Sequence, residues 1–237
     1  GGAGTTASQF TLNNSGSVEL QTGVLASSGG GLSTGLFDVS NSATFGFTGG
    51  TYTINGPAVV NVAASAFFLV QGGLVTVNAG VGGTLQGTTR LISGSLTLNA
   101  NTTASGPYEQ TGGTLAGSAM LTLAGGGFWS GGTMDSVGTS LIPAGQTLAI
   151  NGSAAKNLNN GRILQVDGTA VWSGTGNLIG VSGPAINIGS TGLFEIQNDQ
   201  QFQYGGGSTP VINNGGVLRK TVGTGVTTSQ FTLNNSG

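Results

Sequence analysis

Three aspartates, Asp135, Asp167 and Asp199, are evenly spaced, since 167 − 135 and 199 − 167 are both 32. Paired carboxylates held roughly 5 to 10 Å apart are the machinery of polysaccharide-cleaving enzymes, one giving a proton and the other taking one or attacking. They are the chain's best candidates for catalysis, and they stand without helpers. There is no histidine, so no imidazole base and no Ser-His or Cys-His nucleophile system exists, and no cysteine to supply a thiolate metal site or a disulfide. The residues before Lys156 and Lys220 are Ala155 and Arg219, which rules out a phosphate-cradling Gly-Lys loop. Gly131-Gly-Thr-Met-Asp135 lacks the spacing of a calcium-binding nonapeptide. No cofactor is expected.

Aromatic rings are a second chemistry, because the apolar face of a sugar stacks on them. Trp129, Trp172 and Tyr108 are the candidates for glycan stacking, with Tyr52 and Tyr204 extending the set. The competing reading places them in the core or in a ladder. Asn13, Asn101, Asn151 and Asn234 stand in Asn-x-Ser/Thr sequons. Asparagine as a corner residue or a stacked amide ladder is the competing reading there.

Whether any of these groups meet depends on the elements that carry them. The 237 residues contain 48 glycines and only 5% charged positions, against about 25% in ordinary soluble domains. Ser, Thr, Asn and Gln carry the polarity instead. Such side chains compete for backbone hydrogen bonds and glycine weakens helices, so an all-β chain rich in tight turns is expected. A net charge of −2 offers no basic surface for nucleic acid. No apolar run reaches the length of a membrane span. The absence of an initiator Met or leader at Gly1 is read as a start inside a longer precursor.

Two periods organise the chain. Gly4-Thr-Thr-Ala-Ser-Gln-Phe-Thr-Leu-Asn-Asn-Ser-Gly16 recurs as Gly225-Val-Thr-Thr-Ser-Gln-Phe-Thr-Leu-Asn-Asn-Ser-Gly237, identical at 11 of 13 positions. The offset, 225 − 4 = 221, predicts one segment spanning 1–237 of a tandem array with a 221-residue unit, in which 4–16 and 225–237 are equivalent. Within it, short Gly-x-Φ-x-Φ segments such as Gly50 to Asn55, Gly73 to Asn78 and Gly94 to Asn99 follow one another at intervals of 73 − 50 = 23 and 94 − 73 = 21. Alternation with period two gives each segment one apolar face, and none is long enough to form a sheet alone.

Coils of roughly 20 to 25 residues with two or three short strands are the pattern of a parallel β-helix, or β-solenoid. About ten to eleven coils are expected, right-handed by the general rule for parallel crossovers; a β-sandwich is the second choice. Val18, Leu20, Phe45, Phe47, Tyr52, Ile54, Val75, Val77, Leu96, Leu98, Leu121, Leu123, Leu148, Ile150, Leu164, Val166, Ile186, Ile188, Phe194, Ile196, Phe231 and Leu233 are predicted to line the interior. On coils of about 21 residues an interval of 32 is one and a half turns, which puts consecutive aspartates on different faces.

Thr111 to Gly117, Phe128 to Met134, Ile142 to Leu148, Trp172 to Asn177, Phe194 to Asp199 and Arg219 to Gly225 resemble the β-strand repeats of very large bacterial surface and secreted proteins. That class is akin to filamentous haemagglutinin-like adhesins and autotransporter passengers. The resemblance covers essentially the whole chain and implies export, a solenoid shaft and a structural or adhesive role. No catalytic residue comes with it, because the matching motifs are turn and core patterns.

The expectation is therefore a non-catalytic extracellular structural protein, a repeat unit of a bacterial shaft, fibre or filament. Its partners are adjacent copies of the same repeat, with glycans or a host or cell surface as further partners. The alternatives are a carbohydrate-binding adhesin module and a polysaccharide-degrading β-helix enzyme.

Overall fold

A strand whose alternate residues are apolar must bury one face, and a three- or four-residue strand can do so only by stacking on its like. In the computed structural model, which describes residues 4–236, every strand pairing is parallel and coil lies upon coil in a β-solenoid of about ten turns. Gly1 and Gly237, at the two ends of the expected repeat segment, lie outside the described residues. The strands fall into three columns, one for each side of the coil. The first runs from Thr5–Ser8 to Val217–Lys220, the second from Gly31–Ser33 to Phe202–Tyr204, and the third from Ser17–Leu20 to Thr232–Asn235.

Columns one and two share an 18-stranded sheet, because two long strands, Phe67–Val77 and Thr88–Leu98, continue through the corner from one to the other. Column three is an 11-stranded sheet of its own. Its register fixes the coil length: Ser17 pairs with Leu36, a step of 36 − 17 = 19, and Ala185 pairs with Val211, a step of 211 − 185 = 26. With a strand separation of about 4.8 Å, ten turns make a rod roughly 50 Å long.

The same register stacks like upon like inside. Leu164, Ile186 and Ile212 succeed one another in column three, and Leu148, Ala170 and Phe194 in column one. Near the N-terminal end Phe37, Phe45, Phe47, Tyr52 and Phe68 form an aromatic cluster with neighbouring ring centroids 4.7 to 5.4 Å apart. Such pairs add about 0.5 to 1.5 kcal/mol each beyond the area they bury.

The predicted interior residues from Phe45 to Phe231 are buried apart from Val77, which is half-buried like Val18 and Leu20. Leu233 departs from expectation and is 54% exposed. It points inward beyond Ile212, but among the described residues no further strand lies over it.

Candidate functional site

The three rings expected to stack on glycans lie inside the rod. Trp129, Trp172 and Tyr108 are all 0% exposed, which corrects the stacking expectation: no ring face is presented to a sugar. The cause is the alternation itself. Gln110, Trp129, Ile150 and Trp172 follow one another in a single inward column, each directly over the last. The Trp172 Nε1 donates to the Gly176 carbonyl at 3.3 Å and its ring meets Phe202 at 4.7 Å. The Tyr108 hydroxyl donates to Gln110 Oε1 at 2.9 Å, and burial pushes its pKa upward. Of the remaining tyrosines, Tyr52 is buried and Tyr204 is 40% exposed.

The three evenly spaced aspartates leave the coil at three different corners, after second-, third- and first-column strands respectively. Each is used locally. Asp135 Oδ1 accepts from Asn160 Nδ2 at 2.7 Å, and Asp167 Oδ1 from Gln165 Nε2 at 2.7 Å. Asp199 accepts from Lys220 Nζ and from the Gly225 amide, and the Lys220 bond holds its pKa below the usual range. Among the described residues no three acidic side chains gather where they could hold a metal ion.

Two cations lie in the interior, and neither composition nor spacing announces them. Lys156 opens a second-column strand at an inward position and is 0% exposed; its Nζ donates to the Gly152 carbonyl at 3.1 Å. Burial lowers its pKa. Arg162 is 1% exposed at a corner, where Nη2 donates to Ser140 Oγ at 2.9 Å while Nε has no partner. Loss of hydration pulls its pKa down to about 10, against the opposing pull of Tyr108 and Asp135.

A cavity of about 390 Å³, open to the surface where Gly82, Gly83 and Thr84 are exposed, reaches into the core between the strands Gly82–Leu85 and Thr102–Ala104. Those strands pair only through Leu85 and Ala104, so the third sheet is pinched at one end and parted at the other. The inward column explains the void. It runs Phe37, Val60, Gly83, and a side chain at Gly83 would clash with the Val60 carbonyl oxygen, with φ at +118°. The walls are Ile54, Phe68, Val77, Leu96, Leu98 and Leu121, and the buried hydroxyl of Thr89 on its lining has no partner.

Outside, asparagines stack as amide ladders. Asn78 donates to Asn55 and Asn99 to Asn78 at 2.7 and 2.8 Å; further along, Asn213 donates to Asn187 and Asn234 to Asn213 at 2.8 and 2.9 Å. Of the sequon residues, Asn234 belongs to a ladder, while Asn13 and Asn101 accept from the Leu32 and Met120 amides. Charged residues pair across rungs in the same way, Arg90 with Glu109 at 2.6 Å and Arg219 with Glu195 at 3.4 Å. Among the described residues no helix is long and apolar enough to cross a membrane. Comparison with protein-family models, curated proteins and solved structures finds no match to this chain.

Proposed function

We propose that the chain is a segment of a tandemly repeated extracellular shaft, a non-catalytic structural protein of the bacterial surface or matrix, of the filamentous haemagglutinin-like kind its strand repeats resemble. The observation that carries this reading is the continuity of the stack. The third column is 11-stranded, and its steps stay between 36 − 17 = 19 and 211 − 185 = 26. The longest stretch between consecutive strands, 221–231, still follows the second column through its bridge from Ser229 to Phe202. Asparagine ladders and polar corner contacts hold rung to rung.

A solenoid coil gains its stability from the coils beside it, so lengthening such a rod strengthens it. Reach and spacing are what this architecture supplies, and the duplicated motif at a 221-residue offset (225 − 4) supports repetition of the unit. Export and surface placement rest on the resemblance.

The test is the intact mass and accessibility of the native product. Several copies in one polypeptide, cleaved by protease added to whole cells, are expected. A native product holding a single copy, or one protected inside intact cells, overturns the reading.

A further inference from the structure

The two copies of the duplicated motif do not occupy the same sides of the rod. Each pairs with the neighbouring coil on two successive sides, through one strand and one isolated bridge. In the first copy Thr5–Ser8 lies in column one, and Asn14 bridges to Ser33 in column two. In the second copy Ser229 bridges to Phe202 in column two, and Thr232–Asn235 lies in column three on Val211–Asn214. Both halves have advanced by one side. Following column two from Asn14 to Ser229 passes ten turns, through the strands that begin at Gly31 and Thr51, the second halves of the two long strands from Leu74 and Ser95, and the strands that begin at Thr114, Gly132, Lys156, Leu178 and Phe202. Asn235, the counterpart of Asn14, lies one side further. The repeat is thus ten and one third turns, and not a whole number.

We propose that successive copies of the 221-residue unit (225 − 4) stack with a rotation of one third of a turn, so that the counterpart of Glu19 in the following copy seats beside Arg219. This rests on the array reading above and specifies the joint. The residue after Gly237 would be the counterpart of Ser17, because 238 − 221 = 17, and it would follow Val217 by a step of 238 − 217 = 21. The step from Val211 to its partner Thr232 is the same, 232 − 211 = 21. The counterpart of Ser17–Leu20 therefore lies over Val217–Lys220 in column one, with Val18 over Leu218 inward and Glu19 over Arg219 outward.

The charges fit this phase. Arg219 is already flanked on one side by Glu195, 3.4 Å away, and its side chain is 52% exposed. Glu19 stacks on Asp38, a like-charge pair that is unfavourable on adjacent strands. The joint places a cation on the free side of that pair and completes an alternating Glu195, Arg219, Glu19 ladder. The phenylalanine of the motif fits as well. Phe10 is 85% exposed, whereas Phe231, its counterpart with coils stacked before it, is 6% exposed and 5.6 Å from Phe202. A surface feature of one repeat then appears on a different side of the next, and returns to its first side after three copies.

The experiment is a chain of residues 1–237 followed by a second 17–237, made with single pairs of cysteines in a sequence that has none. Directly opposed residues on neighbouring parallel strands lie about 5 Å apart, within reach of a disulfide. Glu195→Cys with Arg219→Cys inside one copy, a pair in register, is the positive control. Arg219→Cys in the first copy with Glu19→Cys in the second is expected to close as fully as that control, read by intact mass and non-reduced peptide mapping. Asn213→Cys with Glu19→Cys is expected to stay open. Closure of the Asn213 pair instead means a whole-turn repeat, which overturns the rotation and leaves the shaft standing. Closure of neither, while the control closes, means that the copies do not stack and overturns both.

Discussion

Gly138 and Arg162 share one corner of successive coils, and each explains the other. A Cβ on Gly138 would lie 2.6 Å from Arg162 Nη1 and 2.5 Å from the Gly117 and Ala119 carbonyl oxygens. The glycine leaves room for a buried guanidinium to reach Ser140 and the Gly117 carbonyl across the coil.

Gly138→Ala should therefore destabilise the rod by about 1 to 3 kcal/mol, the usual cost of overfilling a packed site. The urea midpoint of unfolding checks this. An unchanged midpoint would mean that the guanidinium moves aside without loss.

Thr89 carries the opposite expectation. Its hydroxyl is buried on the cavity lining without a partner, and an unsatisfied buried polar group costs about 1 to 3 kcal/mol. Thr89→Val keeps the shape and removes the hydroxyl, so stability should rise by about 1 kcal/mol. A fall in thermal midpoint would show that the hydroxyl is satisfied in solution.

Lys156 makes stability depend on pH. Its folded pKa lies below the ordinary 10.5, so between the two values the unfolded chain binds more protons than the folded one, and stability rises with pH. Lys156→Met should be more stable than the parent at pH 7, and its advantage should shrink as the solution is made alkaline. Denaturant titrations of both proteins from pH 7 to the ordinary lysine value measure that difference, and a constant gap contradicts it.

Trp129→Ala and Trp172→Ala should each remove about 3 to 5 kcal/mol, as expected of large-to-small changes at fully buried rings. Equilibrium unfolding is the measurement. A loss below about 1 kcal/mol would place these rings at the surface.

Much of the architecture is legible in the sequence because it depends on composition and on a period of two. The pairs Leu148/Ile150, Leu164/Val166 and Ile186/Ile188 show their inward face in any order of stacking, and all six are buried. What escapes needs the register between coils, and it is hidden by third-column steps as different as 36 − 17 = 19 and 211 − 185 = 26. Gly138 signals Arg162 only once Thr139 is known to lie beside Ile163 on the next coil. Gly83 reads as a turn until it is seen below Val60 with nothing to fill its place. The aspartates separate on their spacing alone, since an interval of 32 matches no whole coil in this range. Trp129 and Trp172 read as surface candidates because the Ser-Gly after each suggests an exposed turn, while their inward parity is set by the strands beneath. The rotation between copies is invisible until both motif copies stand on their columns.

Coaxial stacking of the copies into one continuous rod is tested most directly by small-angle X-ray scattering on chains of one, two and three copies. Each added unit of 225 − 4 = 221 residues should lengthen the particle by roughly 50 Å at constant cross-section, as ten and one third turns at about 4.8 Å require. A cross-section that grows with copy number, or scattering typical of beads on a flexible string, would contradict it.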